Sequence, residues 1–372
     1  MPIDPSTTAI PNQVLINAHL LRQLLYGENK AQSPAGHYIF DAFYQDPLAL
    51  HNFELLVGEP SYNNAADIDR MLQTITHVAA GFELNFGAVP LIAIAVKHGN
   101  PCGAAVGYDP HQVIKDMVDG DRTAIFGGLV ITNFPIDAEV AETVIYYGMP
   151  KKDGSKDTAR RILDGVLAPS VSDDGLKLME RKAKRCRILV NPALAKLTQA
   201  SLDQSPCFRV VRGGLLYQPN YTYVLDLSKA TGLDKGEPCP TLTDAQKRNI
   251  ILAWAVCATT NSNTITIVND KRVQGNGAGQ QDRVGAARLA ISRARVSNER
   301  NGYGDLLKDA VAASDSFFPF PDGVETLAAA GISTVFTTSG SQKDDVVAAC
   351  AKRLGLTMVA VPDAIARGFF NH

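Results

Sequence analysis

The sequence predicts an α/β protein made of two layered halves, and three observations carry that expectation. Leu91–Val96 is a continuous apolar run of the kind that forms a strand covered on both faces. Helix-period and strand-like segments alternate along the chain. A polar, Pro/Gly-rich stretch between about residues 198 and 243 separates two such series of similar size. For 372 residues, at about 150 per domain, two units fit, taken as residues 1–200 and 201–372.

The elements follow in order. Met1–Pro11 carries an acid and prolines where a secretory signal needs a basic start and an apolar run, so it reads as a loose arm. Gln13–Leu25 is predicted as a short amphipathic helix ending at the turn Tyr26–Asn29. After an irregular stretch, Ile68, Met71, Leu72, Ile75 and Val78 give helical spacing over Asp67–Phe82. The buried strand Leu91–Val96 stops at Lys97-His98-Gly99-Asn100-Pro101-Cys102-Gly103, expected as a loop. A helix near His111–Met117, a strand Ile125–Thr132, a helix Ala138–Tyr147, a strand Leu163–Ala168, a helix Asp174–Lys184 and a strand Arg187–Asn191 complete the first half. The strand-like Phe208–Tyr217 interrupts the divider. The second half reads as helix Asp244–Ala258, strand Thr264–Val268, helices Gln281–Arg293 and Gly323–Ala330, strand Ser333–Thr337, helix Gln342–Leu354 and strand Met358–Val361.

Composition narrows the function classes. With 36 Lys+Arg against 38 Asp+Glu, net −2, no global field draws the chain to nucleic acid or anionic membrane. The longest apolar stretches fall short of the roughly 18 to 20 residues of a membrane helix. Six scattered cysteines with no CxxC pair point to reduced thiols and a cytoplasmic protein.

Four segments carry candidate chemistry, each beside a plainer alternative. Lys97-His98 at a strand end supplies a group that titrates near neutrality and an ammonium that stabilises charge on oxygen; the alternative is a solvated lysine and a loop-capping histidine. His98, Pro101 and Cys102 match part of the zinc-binding pattern of nucleobase deaminases, but Asn100 and Ala105 stand where its glutamate and second thiolate belong, so no metal is expected. Asn261-Ser262-Asn263 offers amides for a carboxamide or heterocycle, or is simple turn chemistry. Gly275–Arg283 is glycine-rich and opens a helix, suited to an anion or to a tight turn, and Ser314–Gly323 sets three phenylalanines beside Asp322, suited to a flat heterocycle or to a packed corner.

Taken in order, the strings LLYGENKAQ, SYNNAADID, VKHGNPCGAAVG, FGGLVITN, DGVLAPS, FRVVRGGLL, TNSNT, GNGAGQQDR, SDSFFPFPDGV, TSGSQKD and ARGFFNH resemble the formyltransferase domain of the AICAR transformylase/IMP cyclohydrolase family over nearly the whole chain. The resemblance implies two tandem cytidine-deaminase-like α/β/α halves without zinc, and a homodimer with active sites at the interface. It implies a stand-alone transformylase, with ring closure left to a separate IMP cyclohydrolase. The implied reaction moves a formyl group from 10-formyltetrahydrofolate to the 5-amino group of AICAR. On this resemblance His98 accepts the amine proton, Lys97 stabilises developing charge and Asn263 orients the carboxamide and formyl group. Tyr26, Gly27, Asn64, Gly127, Asp164, Arg283 and Arg367 match nucleotide-contacting positions, with Arg367 on the phosphate. Val284, Phe317, Asp322, Ser341 and Gln342 match the folate side.

The chain departs from the family pattern at Leu25, where a phosphate-binding arginine is expected, at Pro321 in place of an arginine, and in extra residues before Arg367. Lys30 and Arg22 are the cations placed to compensate for Leu25. Two alternatives to AICAR formylation accompany these departures: a paralogue formylating another aminoimidazole or nucleotide amine, and a non-catalytic nucleotide- or folate-binding protein.

Overall fold

A computed structural model describes residues 13–40, 46–151 and 158–370. The arm expected over Met1–Pro11 lies outside them. A peripheral ribbon pairs β1 (Ala18–Leu24) with β2 (Ala35–Phe40). The body begins at β3 (Glu54–Val57) and continues through α1 (Tyr62–Phe86), β4 (Leu91–Lys97), β5 (Asn100–Gly107), α2 (Pro110–Gly120), β6 (Leu129–Thr132), α3 (Ala138–Tyr146), β7 (Gly165–Ala168), α4 (Asp173–Met179) and β8 (Arg187–Val190). A second ribbon, β9 (Cys207–Val211) and β10 (Gly214–Gln218), follows. Then come α5 (Asp244–Ala258), β11 (Ile265–Asn269), β12 (Arg272–Asn276), α6 (Arg283–Asn301), β13 (Val311–Ser314), α7 (Asp322–Ala329), β14 (Thr334–Ser339), α8 (Asp344–Arg353), β15 (Thr357–Pro362) and α9 (Asp363–Ala366).

Eleven strands form one sheet in the order β15-β14-β13-β11-β12-β5-β4-β6-β7-β8-β3. Outward from the central β5–β12 pair, both halves repeat one plan: a hairpin, an antiparallel neighbour, then two parallel strands. Because β5 and β12 pair antiparallel, strands of the second half run opposite to their counterparts. The carboxyl end of β4 therefore shares an edge with the start of β11 and the carboxyl ends of β12 to β15.

Sequence chemistry explains the repeated parts. Each hairpin turns through two residues of positive φ, His98 and Gly99 (53° and 69°) in the first and Asp270 and Lys271 (46° and 64°) in the second, the backbone that a two-residue hairpin turn demands. Each helix after a hairpin packs on a strand glycine: a Cβ at Gly103 would stand 2.2 Å from the Met117 carbonyl oxygen of α2, and one at Gly275 2.1 Å from that of Ala290 in α6. α1 starts on a reciprocal cap between Ser61 and Asn64 and stops at Gly87 in the left-handed region.

One face of the sheet is covered by α1 and α5 together. There Ile68, Ile75, Phe82, Ile250 and Trp254 meet Ile94, Val96, Phe336 and Val359 in a core shared by both halves. The other face carries separate cores, one under α2 and α3 (Val113, Met117, Val140) and one under α6 and α8 (Ala286, Ala290, Val347).

Several expectations change. Gln13–Leu25 is not a helix: Ala18–Leu24 is strand β1, since pairing with β2 satisfies its backbone while no core lies beneath it to bury a helical face. Asn100–Gly103 is not loop but the start of β5. In the glycine-rich segment Gly275 in β12 and Gly277 lie directly under α6, where a Cβ would meet the carbonyls of Ala290 and Ala286. The short strand β13 had no sequence signal.

Candidate functional site

The β4–β5 turn projects Lys97 and His98 at the sheet edge. His98 is exposed and has left-handed backbone, φ 53°. Lys97 Nζ donates to the Phe126 carbonyl at 2.6 Å, fixing the ammonium beside Gly127. From α1, Asp67 Oδ1 accepts the Gly99 amide at 2.6 Å and braces the turn. Burial raises the Asp67 carboxyl above its ordinary value, opposed by that N–H and by nearby His98.

Asn261-Ser262-Asn263 lies across the central pair. Asn100 Oδ1 accepts the Asn261 amide at 3.2 Å, so the histidine turn and the asparagine turn meet directly. Asn263 is pinned at both ends of its amide: Nδ2 donates to Gln280 O at 3.0 Å, and Oδ1 accepts from Arg283 Nη2 at 2.9 Å. One N–H remains for a ligand. Arg283 is itself held by Ser314 Oγ at 2.9 Å and by Asp315. Asp315 is fully buried and also accepts from Ser262 Oγ (2.7 Å) and the Thr264 amide (3.2 Å).

The remaining expected residues fall into three groups. Val284 follows Arg283 in α6, Asp322 and Gly323 open α7 near the Arg283 side chain, and Phe317 lies two residues after Asp315. Arg367 sits 5.4 Å from the Phe317 ring centroid and pairs with Asp363 at 2.9 Å, while Ser341 and Gln342 line a cavity of about 410 Å³ with Thr231–Gly236. In the first half, Gly127 follows Phe126, and Asp164 is tied to this edge because its amide donates to Gly128 O at 2.9 Å. Tyr26 and Gly27 lie on the turn after β1, which reaches α1 through Asn63 Nδ2 and Glu28 O at 3.2 Å. Asn64 is buried, and its side-chain oxygen is spent on the α1 cap. Leu25 is 86% exposed. Of the two compensating cations, Arg22 faces Glu59 at 3.7 Å.

Sequence reasoning missed Asp315, Arg70 and Asp67, whose roles arise from partners distant in the chain. The Ser-Asp-Ser before the phenylalanines was the available signal for Asp315, since a carboxylate inside a strand end needs a cation. Cys102 is a packed thiol: its Sγ donates to Ala95 O at 3.5 Å, and burial pushes its pKa up to about 12. Among the described residues, no group of three or more His, Cys, Asp or Glu is arranged to hold a metal ion. No helix among them is long and apolar enough to cross a membrane.

Comparison with known proteins gives the family. The family described as AICARFT/IMPCHase bienzyme matches residues 4–293. Bifunctional purine biosynthesis protein PurH of Listeria welshimeri is 32% identical over 354 residues, covering 94% of this chain and 60% of the relative. The protein of that name from Bacillus mycoides is 33% identical over 354 residues with the same coverage, and that of Nostoc punctiforme is 32% identical over 357 residues, covering 95% and 60%. The chain thus spans about three fifths of the length of the curated relatives it matches. With the family matched across more than half of its residues, this chain belongs to the AICARFT/IMPCHase bienzyme family.

Proposed function

We propose that the chain transfers a formyl group from 10-formyltetrahydrofolate to the 5-amino group of AICAR, giving FAICAR and tetrahydrofolate. The observation that carries this is the meeting of the His98 turn and the Asn263 turn through Asn100 and Asn261, with Arg283 holding the Asn263 amide. The amine nitrogen attacks the formyl carbon, the amine proton passes to His98, and the bond from that carbon to N10 of the folate breaks as His98 returns the proton to N10. An aromatic amine is a weak nucleophile, so proton removal and positioning supply much of the rate. Lys97 and the free N–H of Asn263 stabilise charge developing on the formyl oxygen. Arg367 takes the phosphate. Phe317, Val284 and Asp322 receive the folate ring, with Ser341 and Gln342 beside it and no metal required.

The same reading treats each half as a cytidine-deaminase-like unit, supported by the repeated strand plan, with the division near residue 200. It makes the protein a cytoplasmic homodimer with interfacial active sites. The apolar side chains on the two ribbons, including Leu20 (55% exposed), Val210 (86%) and Leu216 (57%), suit a partner subunit.

A second acceptor is favoured by one observation, the solvent-facing Leu25. An arginine lost from a phosphate site forfeits charge-assisted hydrogen bonds of about 1.5–3 kcal/mol, which suits an amine with a different anionic group. The test is tetrahydrofolate release, followed spectrophotometrically, with AICAR and a panel of other aminoimidazoles, beside His98→Ala. Turnover with AICAR that falls roughly 10²–10⁴-fold in the variant is expected. Preference for another amine would redirect the acceptor, and folate binding without turnover on any amine would sink the enzymatic reading.

A further inference from the structure

Arg70 lies in the third turn of α1 and is 5% exposed. Its Nη1 points among three oxygens from elsewhere in the fold: Thr259 O at 3.1 Å, Phe370 O at 3.1 Å and Asn261 Oδ1 at 3.4 Å. Its guanidinium also stacks on the Phe370 ring, 4.1 Å from the centroid. These partners are neutral, so a buried cation is satisfied by carbonyl and amide dipoles and by an aromatic face. Burial lowers the Arg70 pKa to about 10, opposed by Asp69 and Asp67, and the group stays charged at neutral pH.

The three oxygens belong to two separate segments at the site. Thr259 and Asn261 begin the turn that carries Asn263. Phe370 ends the segment that carries Arg367, a segment otherwise held by the Gly368 amide on Asp315 O (3.2 Å), the Phe370 amide on Thr260 O (3.0 Å) and Tyr221 Oη on Ala366 O (2.9 Å). We propose that Arg70 is a positioning residue that locks the Asn263 turn and the Arg367 segment to α1, so that formyl-orienting amide and phosphate-binding guanidinium are held in one fixed arrangement. It touches neither substrate and acts through Asn261 and Phe370. A lysine in its place, with one ammonium on a thinner stem, cannot cover the same oxygens and stack on the ring.

The role in catalysis rests on the formyl-transfer reading, and the experiment separates the two. Amide hydrogen exchange is measured on the full chain for wild type, Arg70→Met and Arg70→Lys. Gly368 and Phe370 are expected to exchange roughly 10- to 100-fold faster in Arg70→Met, the factor that loss of charge-assisted hydrogen bonds implies, with a smaller increase in Arg70→Lys. Ile75 and Val78, within α1 itself, keep their protection. In the formyl-transfer assay kcat falls in Arg70→Met, and the fall shrinks when Asn263 is already alanine, because the two act in series. If Arg70→Met does not fold, Arg70→Lys carries the comparison. Unchanged exchange at Gly368 and Phe370, or equal acceleration throughout α1, overturns the role of Arg70. Wild-type protein without formyl transfer sinks the functional reading instead, and the exchange result still decides the lock.

Discussion

Removing the Asp315 carboxylate tests the electrostatic centre of the site. Asp315 is wholly buried, and the Arg283 side chain it faces is 11% exposed. Asp315→Ala leaves that guanidinium without its counter-charge and strips acceptors from Ser262 Oγ and the Thr264 amide. Breaking a buried pair from one side costs about 3–5 kcal/mol, and an orphaned buried donor about 1–3 kcal/mol. The losses overlap, because Arg283 keeps Ser314 and Asn263 as partners, so a total of about 4–6 kcal/mol is expected. Asp315→Asn can keep one acceptor oxygen for Ser262 and Thr264, but it loses the charge and the acceptor that faces Arg283, for about 2–3 kcal/mol. Urea unfolding followed by circular dichroism reads both, with the midpoint of the alanine variant lower by roughly 1–2 M. In each variant Arg283 loses its charged anchor and holds the Asn263 amide less firmly, so kcat falls even where folding holds. An alanine variant within about 1 kcal/mol of wild type, or one equal to the asparagine variant, would refute the claim that a buried charge pair sets the geometry.

Two further outcomes follow from burial. With its pKa pushed up to about 12, Cys102 is expected to resist thiol reagents in native protein at pH 8, while the half-buried Cys207 and Cys239 react first; mass-spectrometric mapping of rapid labelling at Cys102 would contradict the packing. His77 is held neutral, its Nδ1–H donating to Gln73 O at 2.7 Å and its ring stacked on Tyr221, and burial lowers its pKa. The unfolded chain therefore binds this proton first as pH falls below about 6.5, and stability drops on the acid side. His77→Phe should flatten that drop in urea midpoints between pH 7 and 5, and an unchanged slope would show that His77 does not contribute.

How far the site was legible follows from the range of the interactions that build it. Lys97, His98 and Asn263 stand out in the chain because each sits in a short polar string at the end of an apolar one, a contrast visible within ten residues. Asp315 was readable only as part of an aromatic string, and Arg70 not at all. Its helix signal comes from the apolar positions around it, whereas its partners lie 189 and 300 residues away. Gln13–Leu25 misled because a run of alternating apolar and polar residues fits either period when no core is present to choose between them, and pairing with β2 chose the strand.

The sequence by itself determined the α/β class, most of the helices and the strands on either side of the sheet's centre. These depend on local patterning, since a residue's neighbours within a few positions fix which face it can bury. Tertiary structure decided that the halves share one sheet and run in opposite senses, because a single antiparallel contact between β5 and β12 sets that relation and leaves no periodic mark in either strand. It also decided that the Lys97-His98 turn and the Asn261–Asn263 turn meet and that Gly275 and Gly277 pack beneath α6. Close approach of backbones and the pairing of buried charges are properties of distance in space, and chain spacing does not record them.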